Sequence, residues 1–239
     1  MASSLAAAEK KAKSKGKPNS KVAGVQVGLN VPYSFKIPGM TGDDVLDHCV
    51  QLGLSGVELR TQPVEAFLGA PGHLVGAKSA VTKGPAAEAN AQQLRQWRTS
   101  VDLARAQEFR RKYESAGVAI EIMKVDGIFK MSEAELDYMF SLAKQLGARA
   151  LAAEISKTDE DHRRVGRYAD QHKLMFGYHG HASTGPADWE KAFAFAKHNG
   201  ANVDLGHFVA GNHGSPVPFI KKHHARITHV HVKDRKRNN

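Results

Sequence analysis

Short apolar runs alternate with longer amphipathic stretches along the chain from Val25 onward. The runs have the length and β-branched composition of buried strands, and apolar residues in the longer stretches recur with the period of a helix. Gly53, Gly117 and Gly147 close helical stretches just before apolar runs begin, as is common at a helix C-terminus. The pattern predicts strands over 24–29, 56–60, 118–124, 150–155, 174–180, 201–206 and 227–232, and helices over 42–52, 101–116, 132–146, 159–172, 188–199 and 216–225.

Strands that alternate with helices form right-handed parallel βαβ units. Seven such strands fit either a doubly wound sheet or most of an eightfold barrel. No Gly-x-Gly-x-x-Gly follows the first strand, which argues against a dinucleotide-binding sheet. We therefore expect an α/β protein with a TIM (β/α)8 barrel over 22–239. The chain stops at Asn239 after the seventh strand, so we also expect this barrel to be C-terminally incomplete and to lack its eighth strand.

Two segments depart from the alternation. Residues 61–98 contain three prolines and several glycines, which predicts a loop insertion that is either a wall of the active face or a decoration. Residues 1–21 are rich in Ala, Lys and Ser without apolar periodicity, which predicts a disordered basic tail. The stretch 2–8 resembles the small-residue end of a secretory signal. A periplasmic or secreted location and a cytoplasmic one both stay open.

The formal net charge of the 239 residues is +10, but it is concentrated at the two ends. Residues 22–220 hold 21 basic and 22 acidic side chains, so the folded body is neutral and a nucleic-acid partner is not expected. No apolar run approaches the ~20 residues of a membrane-spanning helix, and no membrane partner is expected. Cys49 is the only cysteine, so any metal would be held by nitrogen and oxygen.

Histidines gather where the predicted strands five, six and seven end. Eleven of the thirteen lie between His162 and His231. Because side chains alternate along a strand, His179 and His181 share a face, as do His229 and His231. The carboxyl ends of barrel strands converge on one mouth, and imidazole with carboxylate is a ligand set for Mn²⁺, Zn²⁺, Co²⁺ or Fe²⁺. The pattern therefore predicts a metal site at this mouth.

Charged residues at the other strand ends are further candidates. Glu154 interrupts an apolar run, where a carboxylate is costly unless it is paired or metal-bound. Glu58 is a candidate for substrate contact or for a salt bridge with Arg60 or another cation of the barrel. Lys124 and Lys233 are candidates for holding a substrate oxyanion.

Four motifs resemble the sugar phosphate isomerase/epimerase family, the xylose isomerase-like TIM barrels, in a branch with Tyr-His-x-His on strand five. They are Gly56-Val57-Glu58-Leu59, Tyr178-His179-Gly180-His181, Asp204-Leu205-Gly206-His207 and His229-Val230-His231-Val232-Lys233-Asp234. The resemblance covers about residues 22–239. It implies a divalent metal held by His179, Asp204 and His231, most often Mn²⁺, with Zn²⁺, Co²⁺, Fe²⁺ or Mg²⁺ as alternatives. His179 stands where the family usually has a glutamate, and the family's strand-eight glutamate has no counterpart here.

The resemblance implies an isomerase or epimerase that moves a proton next to the carbonyl of a sugar, sugar phosphate or keto-sugar. The substrate would be a small carbohydrate, bound by Glu58, Lys124 and Lys233. Glu154, His181 and His207 are the candidates for the catalytic acid or base, with the absent strand-eight glutamate of the family as a fourth. Three alternatives stay open: a metal-dependent lyase or dehydratase acting on a keto-sugar or 3-keto-glycoside, a metal-dependent endonuclease, which the neutral body disfavours, and an inactive incomplete barrel. Exposed strand edges leave a homo-oligomer open as well.

Overall fold

The structure is a computed structural model, and it describes residues 16–75 and 84–237. In these residues seven parallel strands form one curved sheet in which each strand pairs with the next along the chain. The strands are β1 (Leu29–Val31), β2 (Gly56–Arg60), β3 (Ala119–Lys124), β4 (Ala150–Glu154), β5 (Met175–His179), β6 (Asn199–Asp204) and β7 (Ile227–His231). Sequential parallel order is the order of a (β/α)8 barrel. The predicted fold class is confirmed, with β1 and β7 as the sheet edges in the described part of the chain.

Helices follow the strands and cover the outer face of the sheet. They are α1 (Gly42–Gln51), α2 (Thr61–Phe67), α3 (Gly72–Val75), α4 (Pro85–Ser100), α5 (Ala104–Ser115), α6 (Glu133–Gln145), α7 (Asp159–His172), α8 (Pro186–Phe193), α9 (Leu205–Ala210) and α10 (Val217–His223). Thr41 and Ser132 begin α1 and α6 with reciprocal capping boxes, in which side chains satisfy backbone N–H groups that lack helical partners. The polar residues before these two helices thus fix where each helix starts.

The two faces of the sheet bury different side chains. On β4, Leu151 and Ala153 belong to the main hydrophobic cluster beneath the helices. Ala150 and Ala152 belong to a separate, smaller cluster on the other face. Because alternate residues share a face, Glu154 lies on the same inner face as these two small alanines.

A β-bulge in β7 determines which of its side chains point inward. The register of β7 against β6 shifts between Ala201 and Asn202, and Thr228 is the extra residue. His229 then pairs with Asn202. His229 and His231 therefore both face the interior of the curved sheet.

The segment predicted as a loop insertion, 61–98, contains helices α2, α3 and α4 in its described part. Pro85 occupies the first turn of α4, where its missing N–H costs nothing, and the Ala- and Gln-rich sequence that follows has high helix propensity. Arg98 of α4 forms ion pairs with Glu65 of α2 and Glu135 of α6. These ion pairs bind the segment to the barrel.

The N-terminal residues differ from the prediction at their boundary. Residues 1–15 of the predicted tail lie outside the described residues. Lys21–Val22 pairs with Val25–Gln26 in an antiparallel hairpin, and the first barrel strand begins at Leu29 rather than at residue 24. The predicted strand 24–29 therefore covers two elements, the second strand of the hairpin at Val25–Gln26 and the first residue of β1, Leu29.

Candidate active site

Four successive strands end in polar side chains on the inner face of the barrel. Glu154, His179, Asp204 and His231 are the last residues of β4, β5, β6 and β7. The strand register pairs Glu154 with His179. It likewise pairs Asp204 with His231, and Asp204 lies two residues beyond Asn202, the partner of His179, so the four side chains share the inner face at the carboxyl edge of the sheet. This is the edge at which (β/α)8 barrels carry their active sites.

Two of these imidazoles converge on one carboxylate oxygen. His179 Nε2 lies 3.4 Å from Asp204 Oδ2, and His231 Nδ1 lies 3.8 Å from the same oxygen. The three residues offer ligand atoms that all lie within 4.8 Å of one another. Ligands placed about 2.0–2.1 Å from a tetrahedral ion are about 3.4 Å apart. The donor set and its spacing therefore fit one divalent ion.

The environment of Asp204 keeps its carboxyl group ionised. Its side chain is fully buried, and burial alone would raise its pKa. Hydrogen bonds from the two imidazoles and Lys233 outweigh burial and hold the pKa of Asp204 far below its ordinary value. Lys233 Nζ donates to Oδ2 at 2.7 Å, and the backbone N–H of His207 donates to Oδ1 at 2.9 Å. Buried carboxylates are either paired with cations or bound to metal ions, and the ionised Asp204 can serve in both ways.

Glu154, predicted as a catalytic base, has three donors around its carboxylate. Lys124 Nζ donates to Oε1 at 2.8 Å, and His179 Nδ1 and His181 Nε2 lie 2.7 and 2.6 Å from Oε2. Burial raises the pKa of Glu154, but the hydrogen bonds and the charge of Lys124 lower it strongly overall. A carboxylate with such a low pKa is a weak base. Its contacts instead fix the tautomer and orientation of two imidazole rings.

His181 and His207, the other candidates for proton transfer, lie together at the mouth with ring centroids 4.5 Å apart. The side chain of His181 is 54% exposed, so a ligand at the mouth can reach it. Burial and the nearby charges of Lys233 and Arg235 lower the pKa of His207 to about 4. Arg235 Nη1 lies 2.7 Å from His207 Nδ1. His207 is therefore a neutral imidazole at physiological pH.

Glu58, predicted to contact the substrate or Arg60, lies against β7 with only 7% of its surface exposed. Its Oε2 accepts from His231 Nε2 at 2.7 Å, and its Oε1 lies 3.4 Å from His229 Nε2. Arg60 pairs with Asp126. Burial raises the pKa of Glu58, but the two imidazoles lower it overall. The carboxylates around His231 raise its pKa to about 9, although burial opposes this.

Both lysines predicted to hold a substrate oxyanion neutralise carboxylates of the site. Lys124 is 1% exposed, and its ammonium group contacts Glu154. Lys233 is 44% exposed and contacts Asp204. Only Lys233 is therefore placed where a bound molecule can reach its ammonium group directly.

Some residues of this region escaped the sequence analysis. Asn202 is fully buried two residues before Asp204, and its Nδ2 lies 3.2 Å from His231 Nε2; this spacing along one strand face was a usable signal. A cavity of about 560 Å³ lies beside the carboxyl ends of β1 and β2, with Tyr33 and Arg60 among its lining residues. The sequence analysis did not point to the loop after β1 as part of a site. It placed the first strand at 24–29 and singled out no residue in the loop that follows.

Comparisons with known proteins establish the fold alone. No protein-family model matches the chain, and no curated protein matches its sequence. A xylose isomerase domain protein from Planctomyces limnophilus is similar with a TM-score of 0.54 and 14% identity over 88% of this chain and 72% of that chain. The 3-keto-D-glucoside 4-epimerase of E. coli has a TM-score of 0.54 and 10% identity over 87% and 78%. A D-psicose 3-epimerase has a TM-score of 0.54 and 10% identity over 86% and 72%.

The chain therefore has the fold of the xylose isomerase-like TIM barrels, with seven parallel strands in the barrel sheet of its described residues. Within those residues, no helix is both long and apolar enough to cross a membrane.

Proposed function

We propose that the protein is a divalent-metal-dependent isomerase or epimerase that moves a proton next to the carbonyl of a small carbohydrate. The observation that carries the proposal is the convergence of two imidazoles on the buried carboxylate of Asp204, at the end of three adjacent strands. Two proteins that share the fold are named as epimerases of a 3-keto-glucoside and of D-psicose. Keto-sugars are therefore the first substrates to test.

His179, Asp204 and His231 would hold the ion, with Mn²⁺ as the first candidate from the resemblance of the sequence motifs. A bound divalent ion at this position supplies Lewis-acid polarisation of a substrate carbonyl, which makes the neighbouring C–H more acidic. Asp204 contributes a full negative charge to the ligand set, and Glu154 fixes His179 through the ring nitrogen on the other side.

We assign proton transfer to His181. Because a carboxylate can only accept, His181 Nε2 carries the proton that Glu154 binds at 2.6 Å, and the neutral ring keeps an acceptor lone pair on Nδ1. This pairing of carboxylate and imidazole fixes the tautomer of a general base. The exposed position of His181 at the mouth allows direct contact with a sugar, whereas His207 is more deeply placed and has a pKa of about 4. Lys233 lies where it can neutralise charge that develops on a substrate oxygen.

The test follows the migrating proton. The protein is loaded with Mn²⁺ and incubated in D₂O with a panel of ketohexoses and a 3-keto-glucoside, and the products are examined by NMR. We expect a converted sugar that carries deuterium on the carbon next to the carbonyl. Replacing Asp204→Ala or His181→Ala should lower the rate by about 10² or more, while His224→Ala, which removes an exposed imidazole elsewhere, should not change it. Conversion without deuterium would contradict proton exchange at His181, and no conversion of any sugar would contradict the function.

A further inference from the structure

A second group of two imidazoles and one carboxylate lies beside the first, nearer the amino end of β7. Glu58 on β2 and His229 on β7 offer ligand atoms that lie within 4.8 Å of one another and of His231. The three residues line a cavity of about 110 Å³ between β2 and the open edge of the sheet at β7. In the proposed function Glu58 would only orient His231 through its Oε2, so its other oxygen and His229 need their own explanation.

Two buried atoms in this group have no hydrogen-bond partner in the described part of the chain. They are Glu58 Oε1 and His229 Nε2, which lie 3.4 Å apart as a long ion pair without the geometry of a hydrogen bond. Each buried polar atom left without a partner costs about 1–3 kcal/mol. A bound species that contacts both atoms would satisfy them.

The separation of these two atoms identifies the kind of species. A water molecule that bonds both atoms at about 2.8 Å would hold them about 4.5 Å apart, which is farther than the distance found here. Two ligands of a tetrahedral metal ion are about 3.4 Å apart, which equals the distance between Glu58 Oε1 and His229 Nε2. The geometry therefore fits a metal ion better than water.

The surroundings of His229 prepare its Nε2 as a ligand. The hydroxyl of Thr228 donates to the carbonyl of Ala201 at 3.1 Å, so this hydroxyl is free to accept a hydrogen bond from His229 Nδ1, which lies 3.0 Å away. With its proton on Nδ1, the neutral ring has its lone pair on Nε2. A hydrogen bond on the far nitrogen is the usual way in which proteins orient a metal-binding histidine.

We propose that Glu58, His229 and His231 form a second divalent-metal site inside the barrel. Two imidazoles and one carboxylate are a ligand set for Zn²⁺ and for Fe²⁺, and they leave open positions for water. His231 presents Nε2 to Glu58 and Nδ1 to Asp204, so with both ions bound its ring bridges them as an imidazolate, its remaining ring proton having left to solvent. The ion replaces the hydrogen bond between Glu58 and His231. This site goes beyond the proposed function, which uses a single ion.

The test counts bound ions. The protein is stripped with a chelator, dialysed to equilibrium against Zn²⁺, and analysed for zinc per chain. We expect two equivalents for the unchanged protein and for the control His224→Ala. His229→Ala should retain one equivalent by losing the inner site, and Asp204→Ala should retain one by losing the outer site. Circular dichroism checks that each variant is folded, and Glu58→Gln, which keeps the side-chain volume, replaces His229→Ala if that variant does not fold.

The pattern of losses distinguishes this proposal from the proposed function. Zinc content that His229→Ala and Glu58→Gln leave unchanged would overturn the inner site, whatever the total. A single equivalent that Asp204→Ala removes and His229→Ala retains would overturn the inner site and support the outer one. A single equivalent that His229→Ala removes and Asp204→Ala retains would support the inner site and remove the metal centre of the proposed function. Protein without zinc would overturn both.

Discussion

Glu154 ends β4 with three donors around its carboxylate. Its position allows it to be either a general base or the carboxylate that orients a metal-binding imidazole, and these donors decide between the two roles. A general base works best with a pKa near the operating pH, whereas the pKa of Glu154 is lowered strongly. A carboxylate that accepts the outer N–H of a metal-binding imidazole orients the ring and makes it a better ligand. His179 stands in that relation to Glu154, with its other nitrogen directed at Asp204.

Glu154→Gln should therefore weaken metal binding rather than only slow turnover. The amide keeps the size of the side chain but loses the charge that two imidazoles and Lys124 contact. We expect the dissociation constant for Mn²⁺ to rise about 10–100-fold, measured by competition with a chelating dye. Glu160→Gln, a control on the exposed surface of α7, should leave it unchanged. Undiminished Mn²⁺ affinity together with a large loss of turnover would instead favour Glu154 as the base.

Helix α4 is an element that the apolar pattern of the sequence did not predict. None of its residues is fully buried, so it lacks a strong apolar stripe, and the neighbouring prolines favoured a loop. Arg98 instead fixes it through two carboxylates, with its Nε and Nη2 on Glu65 and its Nη1 on Glu135. Ion pairs between helices far apart in sequence leave no periodic signal, so the only sequence signals for α4 were Pro85 at its start and its helix-favouring composition, and the prolines and glycines of the segment outweighed them.

The ion pair between Arg98 and Glu135 makes the stability of the protein sensitive to acid. Burial raises the pKa of Glu135, but hydrogen bonds from Ser132, Arg98 and Arg95 outweigh burial, so its pKa lies below the ordinary 4.5. A carboxyl group whose pKa is lowered by folding stabilises the folded state above the unfolded pKa, and this contribution disappears as pH falls through the folded pKa. We expect the free energy of unfolding, measured in urea, to fall below about pH 4.5. Glu135→Gln should be less stable at pH 7 and should lose less stability on acidification; parallel curves for the two proteins would contradict this.

For the whole molecule, the sequence was enough to predict the class of fold and the meeting of the polar strand ends at one edge of the sheet. Alternating strands and helices predicted the barrel, and the strands that end at His179, Asp204 and His231 bring these residues to one edge of it, as parallel strands require. Contacts between side chains on opposite sides of the barrel could not be predicted from the sequence. Glu58 and His231, for example, are distant in sequence and meet only because the sheet curves. The bulge at Thr228, which turns His229 inward, likewise depends on register rather than on pattern.

A barrel also separates stability from function, because its active edge is the carboxyl one and the opposite edge serves mainly to hold the fold together. Ser55 lies just before β2 at that opposite edge, where its hydroxyl contacts the backbone N–H of Ser20 at 2.9 Å and the amide of Gln26 at 3.1 Å. Ser55→Ala should remove these bonds, whose donors are only partly buried, and lower the free energy of unfolding by about 0.5–1.5 kcal/mol, measured by urea denaturation. The dissociation constant for Mn²⁺ should stay the same, since every ligand of the proposed metal centre ends a strand at the other edge. A weakened metal site in this variant would show that the N-terminal hairpin and the mouth of the barrel are coupled, contrary to this separation.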